Sequence, residues 1–179
     1  MEELKGKILV AHPFLKDPNF KRTVVLICEE SEDGHYGLIL NNPITGVDLE
    51  DVLSEELGWH QPLLSGGPVE PMTLQYLHHE NIKDALTLSP DLCIGGDFNE
   101  VKELLNLGEI SSDEIKFFLG YSGWGGGQLE DELQKESWLI ADFKKEYLDT
   151  EGDLWKQVLR DMGGDYAQLI NYPIDPRLN

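Results

Sequence analysis

Short apolar runs, bounded by glycine, proline and small polar residues, recur along most of the chain. Runs of this length that are rich in leucine and β-branched side chains are typical of strands. The sequence predicts strands over residues 7–11, 23–28, 36–40, 74–77, 85–88, 92–94, 115–119 and 138–141. Because these runs come in clusters and do not alternate regularly with helices, the pattern favours an α+β fold over a doubly wound parallel sheet.

Three segments carry their apolar residues at helical spacing. The clearest begins at Asp97, where Glu100 three residues later makes a capping-box pattern, and it ends at Gly108. The other two are predicted over residues 48–57, with Gly58 as the stop, and from about residue 150 to the glycines at 163 and 164. A further helix is expected after the glycine-rich segment that begins at residue 120.

The charge balance limits the partners that can be expected. The chain has 34 Asp and Glu residues against 14 Lys and Arg, which gives a formal net charge of −20. Because nucleic-acid affinity depends on basic groups that neutralise phosphates, this balance argues against direct nucleic-acid binding. No apolar run approaches the ~20 residues of a membrane span and the first residues lack a secretory signal, so we expect a cytoplasmic protein without membrane contact.

Length and cysteine content point to one ordinary folded unit. A chain of 179 residues, without repeats or a recognisable linker, predicts a single domain over residues 1–179. The two cysteines, Cys28 and Cys93, lie in or beside apolar runs and cannot form a disulfide framework. We expect both to be buried thiols.

The segment from Gly120 to Glu132 is the most unusual stretch, because it has five glycines in eight residues. A phosphate-binding loop is one interpretation, and Asp142 stands about twenty residues on, where a dinucleotide fold places its ribose acid. However, no Lys-Ser or Lys-Thr follows the glycines, and a G-x-G-x-x-G frame that starts at Gly123 meets Gln128 at its third glycine. The pattern therefore favours glycines that let backbone lie close to neighbouring backbone.

Other candidates for chemistry are weak. Ser122 lacks the flanking glycine that a nucleophile elbow needs at position 124, which indicates a small packing residue. His78 and His79 are adjacent and would point to opposite faces of a strand, and no paired motif completes a metal site. We therefore predict no catalytic residue, no metal site and no cofactor.

Three segments are candidates for the lining of a ligand-binding groove, because glycine and proline permit close backbone approach. Their alternative role is to form tight turns. The candidate residues are Asn41, Pro43, Gly66, Gly67, Pro68, Gly120, Tyr121, Gly123, Trp124 and Gln128.

Several short motifs follow one another along almost the whole chain. The first ones are Gly6–Ala11 with Pro13, Asp17–Phe20, Arg22–Val25 and Gly37–Asn41. The later ones are Gly66–Val69, Gly120–Gly125, Gln128–Glu130, Trp138, Asp175–Pro176 and Leu178–Asn179. In this order and spacing the chain resembles the AlgH/YqgE family of small bacterial proteins.

Two residues depart from the pattern of that family. Ser122 stands where the family usually has alanine, and Gly126 stands where alanine or proline is common. Both keep the position small or compatible with a turn. Gly126 is expected to loosen the turn before the helix, because glycine removes a conformational restraint.

The resemblance implies a fold and a class of function. The fold is an α+β domain with a branched mixed β-sheet wrapped into a partial barrel and helices packed outside. The family brings no catalytic residues, and members have been described as transcriptional regulators. We therefore expect a non-enzymatic binding or regulatory protein that acts through a protein partner or a small-molecule ligand. The alternatives are a hydrolase or nucleotide-dependent enzyme that uses the turn at residues 120–128, assisted by Asp142 or a nearby carboxylate, and a scaffold that works only through its outer surface.

Overall fold

The computed structural model describes residues 3–57, 61–111 and 114–172. Gly58 and the C-terminal motifs at residues 175–176 and 178–179 lie outside these ranges. The strands within them are β1 (Lys7–Ala11), β2 (Val24–Ser31), β3 (Gly34–Ile39), β4 (Pro43–Asp48), β5 (Pro62–Ser65), β6 (Val69–His78), β7 (Leu86–Ser89), β8 (Leu92–Ile94), β9 (Lys116–Gly125) and β10 (Trp138–Asp142). The helices are α1 (Leu49–Leu53), α2 (Phe98–Leu107), α3 (Gln128–Gln134), α4 (Leu154–Met162) and α5 (Gly164–Gln168), with 3₁₀ turns at Lys145–Asp149 and Leu169–Asn171.

Strand β9 is the branch point of the sheet. The main strand order is β10-β1-β2-β3-β9-β6-β8-β7, and β5 pairs with both β4 and β9. β9 runs parallel to β5 at residues 117–119, and it runs antiparallel to β6 and to β3. These pairings confirm the α+β class and the branched mixed sheet that the resemblance implied.

The two ends of the sheet approach one another. Gly6, just before β1, has a φ of +79°, and a Cβ there would lie 2.9 Å from the carbonyl oxygen of Leu88 in β7. β1 lies next to one end of the strand order and β7 forms the other end. A single buried core joins both ends, with Ile8 from β1 and Leu92 from β8 among its members. The sheet is therefore wrapped into a partial barrel.

Helices cover the sheet from outside. Trp155 of α4 is fully buried in the main core, and its indole N–H donates a hydrogen bond to the Ala11 carbonyl at 2.7 Å. α1 and α2 contribute to a second core with Leu49 and Val101, and α3 contributes to a third with Leu129. Burial of these apolar faces stabilises the helices, since short helices are marginal on their own.

Helix α2 lies where the sequence predicts it, but its N-terminus is capped differently. The Asp97 carboxylate accepts from the Asn99 N–H, and Gly108 ends the helix in a left-handed conformation. The predicted capping box is wrong. The Glu100 carboxylate accepts from the Lys83 N–H at 2.8 Å, while the Asp97 N–H donates to the Lys83 carbonyl, so neither group is available for the box.

Several predicted boundaries shift for local reasons. β4 and β5 were not predicted, because residues 43–48 are mostly exposed and lack an apolar run. The helix expected over residues 48–57 is limited to α1, since Ser54 adopts a φ of +53° and ends it. α4 begins at Leu154 instead of near residue 150, because the chain before it forms a 3₁₀ turn and Asp153 caps the helix.

Candidate functional site

The glycine-rich segment is largely a strand. We expected a strand to end at residue 119 and a loop to follow, but β9 continues to Gly125. Gly123 pairs with Tyr36, and Gly125 pairs with Gly34, both in β3. Glycines carry no apolar side chain, so this half of β9 has no alternating pattern from which a strand could be predicted.

The first glycines of this region are required by close backbone packing. A Cβ at Gly120 would lie 2.7 Å from the Gly67 carbonyl oxygen, and a Cβ at Gly67 would lie 2.3 Å from backbone atoms of Tyr121. Gly67 and Gly120 also have φ values of +152° and +67°, which L side chains rarely adopt. Ser122 is fully buried and donates to the Gly66 carbonyl at 3.0 Å. The two segments therefore meet backbone against backbone, and Ser122 is a packing residue, as predicted.

Two later glycines have no such requirement. Neither Gly123 nor Gly125 has a positive φ. A Cβ at Gly125 would meet nothing within 4 Å, and one at Gly123 would make ordinary contact with the Tyr121 ring at 3.4 Å. Because glycine inside a strand costs about 0.5–1 kcal/mol relative to alanine, the fold alone does not account for these two residues.

The last two glycines connect β9 to α3. A Cβ at Gly126 would lie 2.8 Å from the carbonyl oxygen of Glu32, in the turn between β2 and β3. Gly127 has a φ of +78° and precedes the first residue of α3. The expectation that Gly126 loosens this turn stays a prediction. The structure adds that its missing side chain lets the β2–β3 turn pack against it.

An open groove of about 440 Å³ lies over the second half of β9. We call it the tyrosine groove and define it by Glu29, Asp33, Tyr36, Tyr121, Gly123 and Gly125. Glu29 lies opposite Tyr36 in the sheet, and Tyr36 lies opposite Gly123, so three strands bring these residues together. The rings of Tyr36 and Tyr121 have centroids 4.9 Å apart and planes tilted by 40°.

The tyrosine groove carries negative charge, and no lysine or arginine lines it among the residues that the structure describes. Glu29 and Asp33 are exposed, and among the described residues neither carboxylate has an ion-pair or hydrogen-bond partner. Burial raises the pKa of Tyr36, and the nearby Cys28, Tyr121 and Glu29 raise it further. The Tyr36 phenol therefore stays neutral, and its ring keeps a negative face.

His35 borders the groove, but it pairs with Trp124, so strand alternation directs its imidazole to the face of the sheet opposite Tyr36. Its side chain is only 2% exposed, and neither ring nitrogen has a hydrogen-bond partner among the described residues. Oε1 of Glu30 lies 3.7 Å from Nε2, which is too far for a hydrogen bond. The imidazole is therefore buried beside Glu30 and Trp124 and does not face the tyrosine groove.

Trp124 packs into the core at the edge of the groove. It is 4% exposed and stacks on Phe20, with ring centroids 5.9 Å apart. Its indole N–H donates to Oε2 of Glu132 at 3.0 Å, and the Trp138 indole donates to the same oxygen at 2.7 Å. Gln128 accepts from the Gly125 N–H at 3.1 Å and donates to Oε1 of Glu132 at 3.0 Å. This network fixes the end of β9 against α3.

Asn41 and Pro43 lie away from the tyrosine groove. They line a more enclosed cavity of about 290 Å³ between the β4–β5 pair and the 3₁₀ turn at Lys145–Asp149. The Asn41 side-chain amide forms hydrogen bonds within the chain. It accepts from the Val24 N–H and donates to the Arg22 carbonyl, both at 2.9 Å. Asn41 therefore holds β2 in place.

The predicted groove residues are thus divided among different places. Gly67 and Pro68 border a third, smaller cavity of about 190 Å³. Gly66 and Gly120 are buried where their segments touch. The structure brings Tyr121, Gly123 and Trp124 to the tyrosine groove and does not bring the three predicted segments into one groove.

The residues considered for catalysis do not converge. Asp142 pairs with Lys7, 2.6 Å from its Nζ, and this hydrogen bond and charge hold the pKa of Asp142 below its usual range. Three strands separate β10, which carries Asp142, from β9 in the sheet. Among the described residues, no group of three or more His, Cys, Asp or Glu side chains is placed to hold a metal ion. In the same ranges, every helix is too short or too polar to cross a membrane.

A family model described as AlgH-like matches residues 8–167. The chain belongs to the AlgH-like family. A UPF0301 protein of Cytophaga hutchinsonii is 47% identical to this AlgH-like chain over 180 residues and covers 98% of each sequence. A UPF0301 protein of Bacteroides thetaiotaomicron is 39% identical over 180 residues, which are 98% of this chain and 91% of that one. The expectation that residues 1–179 form one domain stays a prediction.

Two solved structures share the fold of this AlgH-like chain. A crystal structure of a Corynebacterium diphtheriae protein matches with a TM-score of 0.79 and 24% identity, and covers 96% of this chain and 94% of the other. The solution structure of the AlgH protein from Pseudomonas aeruginosa matches with a TM-score of 0.75 and 27% identity, and covers 96% and 95%. At 24% identity, the match to the Corynebacterium diphtheriae protein shows a shared fold and nothing more.

Sequence reasoning missed the half of the tyrosine groove that comes from β2 and β3. Glu29, Asp33, His35 and Tyr36 were not among the predicted site residues. A cluster of acidic residues beside a His-Tyr pair on a strand was the available signal. Spacing alone did not show that β3 pairs with the glycine-rich half of β9.

Proposed function

We propose that this AlgH-like protein is a non-enzymatic binding protein that acts through the tyrosine groove. The observation that carries the proposal is the pair Gly123 and Gly125, whose missing side chains are explained neither by φ nor by packing. Their backbone lines the same groove as the rings of Tyr36 and Tyr121. Glycine is favoured where another molecule must approach backbone closely.

The shape and lining of the groove support binding more than catalysis. A site of a few hundred Å³ with aromatic walls and a few polar groups is typical of ligand and peptide recognition. An enzyme would need a nucleophile and a base within hydrogen-bond reach. Ser122 is buried against the Gly66 carbonyl and Asp142 is bound to Lys7, so neither serves the groove.

A regulatory role is part of the same proposal. The net charge of −20 argues against direct contact with nucleic acid. Any effect on transcription would then pass through a protein partner or a small-molecule ligand bound in the groove. We place this activity in the cytoplasm, as the sequence leads us to expect.

Co-purification from native cells with matched variants tests the proposal. Gly125→Leu places a side chain in the groove, where a Cβ would meet no atom of the described residues within 4 Å. Thr45→Leu adds an equivalent side chain at an exposed position of β4 and serves as the control. We expect mass spectrometry to identify a protein or metabolite that stays with the wild type and with Thr45→Leu and is lost from Gly125→Leu.

Two results would contradict the proposal. One is a bound molecule retained equally by all three proteins. The other is repeated isolation of the wild type with nothing bound. Thermal unfolding of each variant checks that a loss of binding does not reflect a loss of the fold.

A further inference from the structure

Building on this binding function, we propose that the tyrosine groove takes the guanidinium group of an arginine in an extended, basic segment of a protein partner. This inference names the chemistry of the partner and depends on the groove being a binding site. Three features of the groove support it.

The first feature is unpaired negative charge. Five lysines of the described chain form ion pairs with carboxylates away from the groove, and they are Lys7, Lys102, Lys116, Lys144 and Lys156. Glu29 and Asp33 have no such partner among the described residues. A cation from another molecule can therefore pair with them, and the net charge of −20 would speed its approach.

The second feature is the pair of tyrosine rings. A guanidinium group is planar, stacks on aromatic faces and binds carboxylates through two parallel hydrogen bonds. Tyr36 and Tyr121 line the groove as a contacting pair, with ring centroids 4.9 Å apart, and Glu29 lies opposite Tyr36 on the neighbouring strand. An anion would meet repulsion from the same carboxylates.

The third feature favours an extended segment over a small cation. The pairing of β6 with β9 stops at Val69 and Tyr121, so in the described structure the stretch from Ser122 to Gly125 has β3 as its one strand partner. Gly123 and Gly125 place no side chain over this stretch, and of its backbone groups the Gly125 N–H already donates to Gln128. The main chain of an extended peptide can lie along it while one side chain enters the groove.

Calorimetric titration with synthetic peptides tests the inference. The probes are acetylated and amidated Ala-Val-Arg-Val-Ala, its counterpart with glutamine for arginine, and acetyl-arginine amide. We expect the arginine peptide to bind the wild type about tenfold more tightly than the glutamine peptide, and less tightly as salt rises. Glu29→Gln should weaken arginine-peptide binding about fivefold and leave glutamine-peptide binding unchanged.

Gly125→Leu is the critical variant, because it blocks the groove without changing the net charge. We expect it to abolish binding of the arginine peptide, and Thr45→Leu to bind like the wild type. Arginine-peptide binding that survives Gly125→Leu would overturn the inference, since it would reflect general attraction to an acidic surface. If acetyl-arginine amide binds as tightly as the peptide, the inference that the groove recognises an extended segment is wrong.

The remaining outcomes separate this inference from the proposed function. The arginine and glutamine peptides could instead bind with equal affinity, and Gly125→Leu could abolish the binding of both. That result would overturn the proposal of a cationic ligand, while the groove would remain a binding site. No binding of any probe at millimolar concentration would overturn the inference. In that case the co-purification experiment with Gly125→Leu and Thr45→Leu still decides the proposed function by itself.

Discussion

Gly120 and Gly125 lie on the same strand in contrasting surroundings. Around Gly120, backbone from residues 67 and 69 fills the place of a side chain, and φ is +67°. Around Gly125 the place of a side chain is empty and φ is ordinary. Glycines close together in sequence can therefore serve different purposes: the first half of this strand needs them to fold, and the second half leaves space that the chain itself does not use. Substitutions that add a single methyl group, or remove a single hydroxyl, test this contrast.

The largest effect is expected at the packed half of the contrast. Gly67→Ala places a Cβ 2.3 Å from backbone atoms of Tyr121 and forces alanine to a φ of +152°. Strain and overpacking together should lower the free energy of unfolding by about 3 kcal/mol or more. Urea unfolding followed by tryptophan fluorescence measures the loss. A change below about 1 kcal/mol would show that this contact can relax. It would contradict the conclusion that close backbone packing requires glycine here.

An intermediate effect on the free energy of unfolding is expected when the hydroxyl group is removed from Tyr147, with Tyr36 as the comparison. The buried Tyr147 hydroxyl donates to Oδ2 of Asp161 at 2.8 Å, whereas the Tyr36 hydroxyl at the groove has no hydrogen-bond partner among the described residues. Tyr147→Phe should therefore lower the free energy of unfolding by about 1 kcal/mol at neutral pH. Tyr36→Phe, the control, should change it by less than about 0.5 kcal/mol.

Tyr147→Phe also has a pH signature. Burial and the bond to Asp161 raise the pKa of Tyr147 to about 12, from an ordinary value of 10.0. The folded state then holds this proton more tightly than the unfolded state, so its contribution is complete below pH 10 and is lost as pH rises towards 12. Wild type should lose stability more steeply than Tyr147→Phe across that window in urea unfolding. Parallel curves would contradict the assignment.

The smallest effect is expected at the open half of the contrast. Gly125→Ala adds a Cβ that meets no atom, and alanine restricts the unfolded chain more than glycine does. The free energy of unfolding should stay within about 0.5 kcal/mol of wild type, with any change towards greater stability. Urea unfolding of Gly125→Ala and Gly67→Ala under the same conditions compares the two changes in stability directly. Destabilisation of more than about 1 kcal/mol would mean that the fold does need this glycine.

Elements with a strong local pattern could be predicted from the sequence. β1 and β8 match their predicted ranges, and α2 ends at Gly108 as expected, because apolar spacing and a terminal glycine act within a few residues. β4 could not be found, since its stability comes from pairing with β5 and not from an apolar face of its own. The continuation of β9 beyond residue 119 could not be predicted either, because this part of the strand depends on pairing with β3 and has no apolar pattern of its own.

The candidate site was predictable on one strand only. Tyr121, Gly123 and Trp124 stood out because their segment is unusual in composition, and the structure places all three at the tyrosine groove. Their partners on β2 and β3 depend on long-range strand pairing, which no local pattern encodes. Asn41 looked equally suited to a groove, but its amide is occupied in holding backbone groups of residues 22 and 24.

The branching at β9 has a consequence for how the protein is made. β3, β5 and β6 all pair with this one strand, and all three precede it in the chain. During synthesis on the ribosome, a nascent chain that ends before residue 125 carries these strands without their common neighbour. Unpaired strand edges are prone to association with other chains. The sheet can close only late in translation, and chaperone protection matters most until then.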